Sequence, residues 1–199
     1  AVRLYQGGQP VDSLIDLIAA NVRLPDMTLS DLYAGVAALR SGEARITEIC
    51  QRYGVEALRQ AVRQMMDHGE HIARQRLAGL PRGVYEAEDF MDDDGLTDDP
   101  IPIRVKITID ENGFVADFTG SSPQVAGPIN GTWARTQSSC RVVFKAITAP
   151  EYPNNEGCFR PVKVICPPGT VFTARRPAPV STYWEAGASA IDLLWRALY

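Results

Sequence analysis

The chain has 199 residues, 45% hydrophobic and 22% charged, the balance of a folded globular protein rather than a disordered one. A formal net charge of −4 lacks the basic footprint of a nucleic-acid binder, and no apolar run reaches the roughly 18 residues of a membrane span. The four cysteines, Cys50, Cys140, Cys158 and Cys166, form no C-x-x-C pair, which predicts reduced thiols and a cytoplasmic setting.

The first eighty residues read as helical. "VDSLIDLIAANV" places Val11, Leu14, Ile15, Ile18 and Val22 on one stripe, ended with the help of Pro25. A second helix, capped by Thr28 or Ser30, carries Leu32, Val36, Leu39, Ile46 and Ile49 towards Gly54. A third runs from about Val55 to Leu77, and the short links predict antiparallel packing. From Pro81 the texture alternates. "GVYEAEDF", "IPIRVKITI" and "FVADFTG" have the period of half-buried strands, with a hairpin turn at Asn112-Gly113. A helix is predicted over about 132–147, followed by a strand "VKVIC", a turn "PPGT", another extended piece and a terminal helix. This order predicts an α+β fold, helical over 1–80, with antiparallel strands and packed helices over 81–199. The chain opens without methionine and stops inside the helical pattern "AIDLLWRALY", so a segment of a larger polypeptide is expected.

Several motifs for chemistry fail on inspection. In "MDDDGLTDDP", aligning Gly95 with the EF-hand glycine puts Phe90 and Ile101 at the first and last ligand positions, where oxygen donors are required. A solvated acidic turn is the simpler reading. His68 and His71 share a helix face but lack an evident third ligand, so no metal site is assigned. "GSSPQ" has Gln124 where a nucleophile elbow needs glycine, and no histidine follows it. No phosphate loop or dinucleotide fingerprint is present.

Two Gly/Pro/Asn loops remain, "GSSPQVAGPING" and "YPNNEGCFRP". Their stiff backbones carry neutral donors and acceptors at Ser121, Ser122, Gln124, Asn130, Asn154 and Asn155. Arg160 adds a cation able to fork onto a carboxylate, carbonyl or phosphate. These groups suit either a cradle for a cyclic amide or two ordinary turns, and the patch of Asn154, Asn155 and Arg160 is expected to face the first loop.

"DFTGSSPQVAGPIN" followed by "PNNEGCFRPVKVICPPGT" resembles the hydantoinase B/5-oxoprolinase family, and "LIAANVRLPDMTLSDLYAGVAALRSGEARITEICQRYG" and "GVYEAEDFMDDDGLTDDP" match its texture in the same order. The resemblance implies a subunit that opens a cyclic amide such as a hydantoin or 5-oxoproline at the expense of ATP. It implies a hydantoinase A-type partner subunit or domain carrying ATP with magnesium, an oligomeric complex, and a divalent metal held upstream of this segment. The segment alone is expected to bind no cofactor and to be inactive. An acetone/acetophenone-type ketone carboxylase subunit is the alternative, and a non-catalytic interface or scaffold module a third reading.

On this reading Arg160 stabilises developing negative charge and Glu185 is an acid/base candidate. Ser121, Ser122, Gln124, Asn130, Asn154 and Asn155 hold the substrate. Many family members have G-N-x-E-T-S near "STYWEAGASAIDLL". Glu185 is kept here, while Tyr183, Trp184, Ala186 and Gly187 stand where small polar residues are common, which fits either an aromatic substrate or core packing.

Overall fold

A nine-residue strand whose residues alternate between buried and exposed can bury one face only, and two such strands begin the main sheet of the unit spanning Val62–Tyr199. In the computed structural model, which describes residues 2–199, β3 (Gly83–Met91) and β4 (Ile101–Ile109) pair antiparallel along their whole length. With β5 (Phe114–Asp117) and β6 (Val162–Ile165) they make a four-stranded sheet of order β3-β4-β5-β6. Ile101, Ile103, Val105, Ile107 and Ile109 face the core, whereas Arg104 and Lys106 face outwards. A turn at 110–113 joins β4 to β5; the Asp110 carboxylate accepts hydrogen bonds from the amides of Asn112 and Gly113.

The inner face packs against α4 (Trp133–Thr148) and α5 (Trp184–Leu198), giving the two layers of an α+β fold. The side chain of Thr132 caps α4 by accepting from the Arg135 amide. Phe114 meets Phe144, and Phe118 meets Phe172, edge to face at centroid distances of 5.5 and 5.0 Å. One expectation changes here. β6 runs parallel to β5, with Phe114 opposite Val162 and Asp117 opposite Ile165, because α4 carries the chain back along the sheet. The extended piece after "PPGT" forms no strand; the turn's own Thr170 makes an isolated bridge with Pro123.

The chain divides into two compact units, one ending at Ala61 and the other running Val62–Tyr199. The division falls inside α3 (Val55–Leu77), whose buried residues, Gly69, Ala73 and Leu77, all belong to the second unit. The first unit begins with a hairpin that helical periodicity did not predict, β1 (Tyr5–Gln6) and β2 (Gln9–Pro10), turned by Gly7 and Gly8 at φ of +57° and +82°. Next come α1 (Asp12–Ala20) and α2 (Pro25–Tyr53). Pro25 starts α2 at its first helical position, rather than Thr28 or Ser30 capping it, because a proline there forfeits no helical hydrogen bond. Gly54, at φ +86°, ends the helix as expected. No residue of α2 is buried, so the predicted antiparallel packing does not cover its apolar stripe.

Candidate functional site

The parallel pairing of β5 and β6 decides which predicted residues can act together. The "GSSPQVAGPING" loop follows the carboxyl end of β5, whereas "YPNNEGCFRP" precedes the amino end of β6. The two loops therefore lie at opposite ends of the sheet, about 10 Å of strand apart. The expectation that they face each other is overturned. Ser121, Ser122, Gln124, Asn130 and Glu185 belong to the carboxyl end; Asn154, Asn155 and Arg160 belong to the amino end.

At the carboxyl end the first loop is closed by the segment after β6. Amide–carbonyl bonds join Gln124 to Gly169, Val171 to Ser122, and Gly131 to Val171. Asn130 is fully buried; its Oδ1 accepts from the Val125 amide and its Nδ2 faces the carbonyls of Val125, Gly127 and Pro179 at 2.9 Å. With no donor to spare, Asn130 organises the loop instead of holding a ligand directly. Ser121 is likewise buried, its hydroxyl exchanging 3.1 Å hydrogen bonds with the backbone of Arg104. Gln124 Oε1 accepts from the Arg175 amide, leaving its Nε2, together with the half-buried Ser122 hydroxyl, as polar groups available for contact.

Asp94 is the residue that the sequence reading missed. It is buried, unlike its neighbours Asp92 and Asp93, and its carboxylate accepts from the amides of Leu96, Thr97 and Gly127. These bonds, first those from Thr97 and Leu96, lower its pKa below the usual aspartate value. The acidic turn is thus pinned to the first loop. A β-carbon on Gly127 would collide with the Asp94 carbonyl, so only glycine permits the approach.

Beside this pin, Glu185 stands in the first turn of α5 and lines an open concavity of about 440 Å³ with Phe90, Asp92, Asp93 and Asp192. Tyr183 and Trp184 are exposed and meet edge to face at 5.8 Å, so this pair is surface rather than core. Behind it, Ala186 and Gly187 are buried because they pack against Gly131 and the Arg135 guanidinium. The carboxyl end therefore carries a concavity with Glu185 and three further carboxylates, Asp92, Asp93 and Asp192, and outside that lining a hydroxyl, a carboxamide and an exposed aromatic pair. Cys140 lies within α4 and Cys166 directly follows β6; burial pushes both thiols up, Cys140 to about 12. A thiol raised in this way is a poorer nucleophile at neutral pH.

The amino-end residues grip a helix. Asn155 Nδ2 donates to the Met65 carbonyl at 3.3 Å, and its amide lies against Gly69. The backbone of Gly157 presses onto the Met66 carbonyl, where a β-carbon would not fit. Arg160 uses one nitrogen, Nη1, to bond Asp67 at 2.7 Å and Glu70 at 2.9 Å. Arg160, with Arg74 second, holds the Glu70 carboxyl below its ordinary pKa. With these bonds made, the geometry gives Arg160 a clamping role on one turn of α3. Of the three, Asn154 alone makes none of these contacts. His68 packs edge to face on Tyr152 at 5.6 Å, and among the described residues no group of three His, Cys, Asp or Glu could hold a metal ion.

Comparison with known proteins places this architecture. The family model described as Hydantoinase B/oxoprolinase matches residues 1–199. A protein of Pseudomonas sp. (strain NS671), provisionally named as the B component of a D-/L-hydantoinase, is 31% identical over 209 aligned positions, which cover all of this chain and 35% of that protein. The beta component of the caprolactamase of Pseudomonas jessenii is 30% identical over 96% of this chain and 34% of its own length. The crystal structure of the ATP-dependent caprolactamase from that organism matches 98% of this chain and 35% of its own, with a TM-score of 0.85 and 27% identity. A nucleotide-free acetone carboxylase structure shares the fold, with a TM-score of 0.88 at 19% identity. The chain thus spans about a third of the length of these hydantoinase and caprolactamase relatives.

Proposed function

The chain belongs to the hydantoinase B/oxoprolinase family, and from that premise we propose that its full polypeptide is a subunit of an ATP-dependent amidohydrolase that opens a cyclic amide. The observation that carries this reading is the match along all 199 residues, joined to relatives named for hydantoinase, caprolactamase and 5-oxoprolinase activity. The acetone carboxylase likeness, at 19% identity, speaks for the fold alone and gives the carboxylase reading no comparable support. A hydantoinase A-type partner supplies the ATP chemistry, and the complex resides in the cytoplasm. Free cysteines throughout are consistent with that setting, and no helix of the described residues is long and apolar enough to cross a membrane.

Ring opening adds water to the amide carbonyl carbon and breaks the C–N bond, leaving a carboxylate and a freed nitrogen, an ammonium from a lactam or a neutral urea nitrogen from a hydantoin, while the partner converts ATP to ADP and phosphate. In this reading Glu185 takes the proton from the attacking water, while Ser122 Oγ and Gln124 Nε2 orient the ring oxygens. Asp94, Asn130 and Ser121 hold the loop that presents them. Among the described residues no donor set fits a divalent metal, which the resemblance puts upstream of this segment, so the roles named are those of this segment's own side chains.

The test is reconstitution of the full-length polypeptide with its A-type partner, ATP and magnesium, against hydantoin, 5-oxoproline and caprolactam. ATP consumption coupled to ring opening is expected for at least one. Glu185→Gln should lower kcat by about 100-fold or more with an unchanged melting temperature. Bicarbonate-dependent conversion of a ketone, with no ring opening, would refute the hydrolase reading. Full turnover by Glu185→Gln would remove that residue from the chemistry.

A further inference from the structure

The outer face of α4 carries a second concavity, of about 450 Å³, at the amino end of the sheet and away from Glu185. Its size lies within the usual range of small-ligand sites, roughly 300–1,000 Å³. Val142, Ala146 and Phe159 give it an apolar floor, and Val142 is 51% exposed although its helix neighbours Val143 and Phe144 are fully buried. Arg141, Lys145 and Asn154 form the polar rim.

The rim is not charge-balanced. Arg141 stacks on the Phe159 ring at 5.0 Å and bonds both oxygens of Glu156, which neutralises it and fixes its position. Lys145, one helical turn along, lies over the Tyr152 ring at 5.4 Å, and no carboxylate among the described ion pairs serves it. The Asn154 carboxamide is exposed and takes part in none of the described hydrogen bonds. The site therefore presents one uncompensated positive charge and one free amide above an apolar floor.

From this juxtaposition we infer that the concavity binds a small organic monocarboxylate with an apolar body, its carboxylate held by Lys145 Nζ and the Asn154 amide. A single surplus charge matches a monoanion better than a phosphate dianion, and the floor of Val142, Ala146 and Phe159 rewards an apolar tail. The inference is independent of the proposed ring-opening activity, because it rests on a different end of the sheet and shares no residue with it.

The test is calorimetric titration of the full-length polypeptide with phenylacetate and hexanoate, and with phenylacetamide as the neutral isostere of the former. Saturable one-site binding of the acids is expected, weakened about tenfold or more by Lys145→Gln or by exchanging acid for amide. Lys163→Gln, on β6 and outside the concavity, should leave it unchanged. Lys145 is a half-buried surface residue, and an unaltered melting temperature of the variant separates lost binding from lost folding. No saturation up to on the order of 10 mM, or equal affinity for acid and amide, overturns the inference. So does unchanged binding by Lys145→Gln.

Discussion

Replacing Gly69 with alanine tests whether the amino-end loop is a clamp on α3. An alanine in a helix interior is favoured over glycine by about 1 kcal/mol. At Gly69, however, the added β-carbon would stand 2.5 Å from Oδ1, 2.8 Å from Nδ2 and 3.0 Å from Cγ of Asn155. Ordinary contact begins near 3.4 Å, so the amide must move by several tenths of an ångström and forfeit its hydrogen bond to Met65. Such overpacking costs about 1–3 kcal/mol, and Gly69→Ala alone should be neutral to destabilising by about 2 kcal/mol. Asn155→Ala removes the obstacle, together with a buried Oδ1 that has no hydrogen-bond partner, so its own effect should be within about 1 kcal/mol. In that background Gly69→Ala should stabilise by about 1 kcal/mol, giving a coupling of about 1–3 kcal/mol. Urea titration followed by tryptophan fluorescence measures it, since Trp133, Trp184 and Trp195 all lie in the second unit. Additive effects, with the single substitution already stabilising, would refute the clamp.

The same geometry makes Arg160→Lys milder than a guanidinium fork would suggest. One nitrogen serves both carboxylates, so a lysine should retain most of the melting temperature and Arg160→Met should lose more, measured side by side. Asp94 has a folded pKa lowered below its unfolded value, so its contribution to stability is complete above the ordinary aspartate range and disappears as pH falls through the lowered value. Asp94→Asn should therefore flatten the fall in melting temperature between about pH 5 and pH 2 while lowering it at neutrality; an unchanged acid slope would contradict the assignment. With burial pushing its thiol up to about 12, Cys140 should resist iodoacetamide at pH 8 in the folded chain and react once urea unfolds it. Mass spectrometry of the labelled peptides decides.

Long periodic elements were legible from the sequence. The third helix and both long strands stand where periodicity put them, the strands because alternation in β3 and β4 leaves one face of each to bury; α3 has the predicted length but buries Gly69, Ala73 and Leu77, while Val62 and Met65 of its apolar stripe stay exposed. Two-residue strands carry no period, so the hairpin around Gly7-Gly8 had only its glycines to announce it. Pro25 illustrates a second limit, since a proline that ends one helix is equally suited to begin the next. Strand direction was also hidden: "VKVI" alternates identically in either orientation, and α4 alone makes it parallel. At the candidate site, Asp94 resembles its solvated neighbours until the Gly127 amide, 33 residues away, is brought to it. Arg160 similarly reads as a free cation because its carboxylates lie about ninety positions earlier.

The crossover between β5 and β6 also sets an order of assembly. The turn linking β4 to β5 is four residues, 110–113, whereas residues 118–161 separate β5 from β6. A loop about tenfold longer costs about 2 kcal/mol more to close in a chain not yet folded. The β3-β4-β5 meander can therefore nucleate from local contacts, while β6 must wait until α4 has shortened the path. Until then β5 has a bare edge, and its amides remain open to solvent or to another strand. Because both predicted loops flank that last pairing, neither reaches its final shape before β6 arrives.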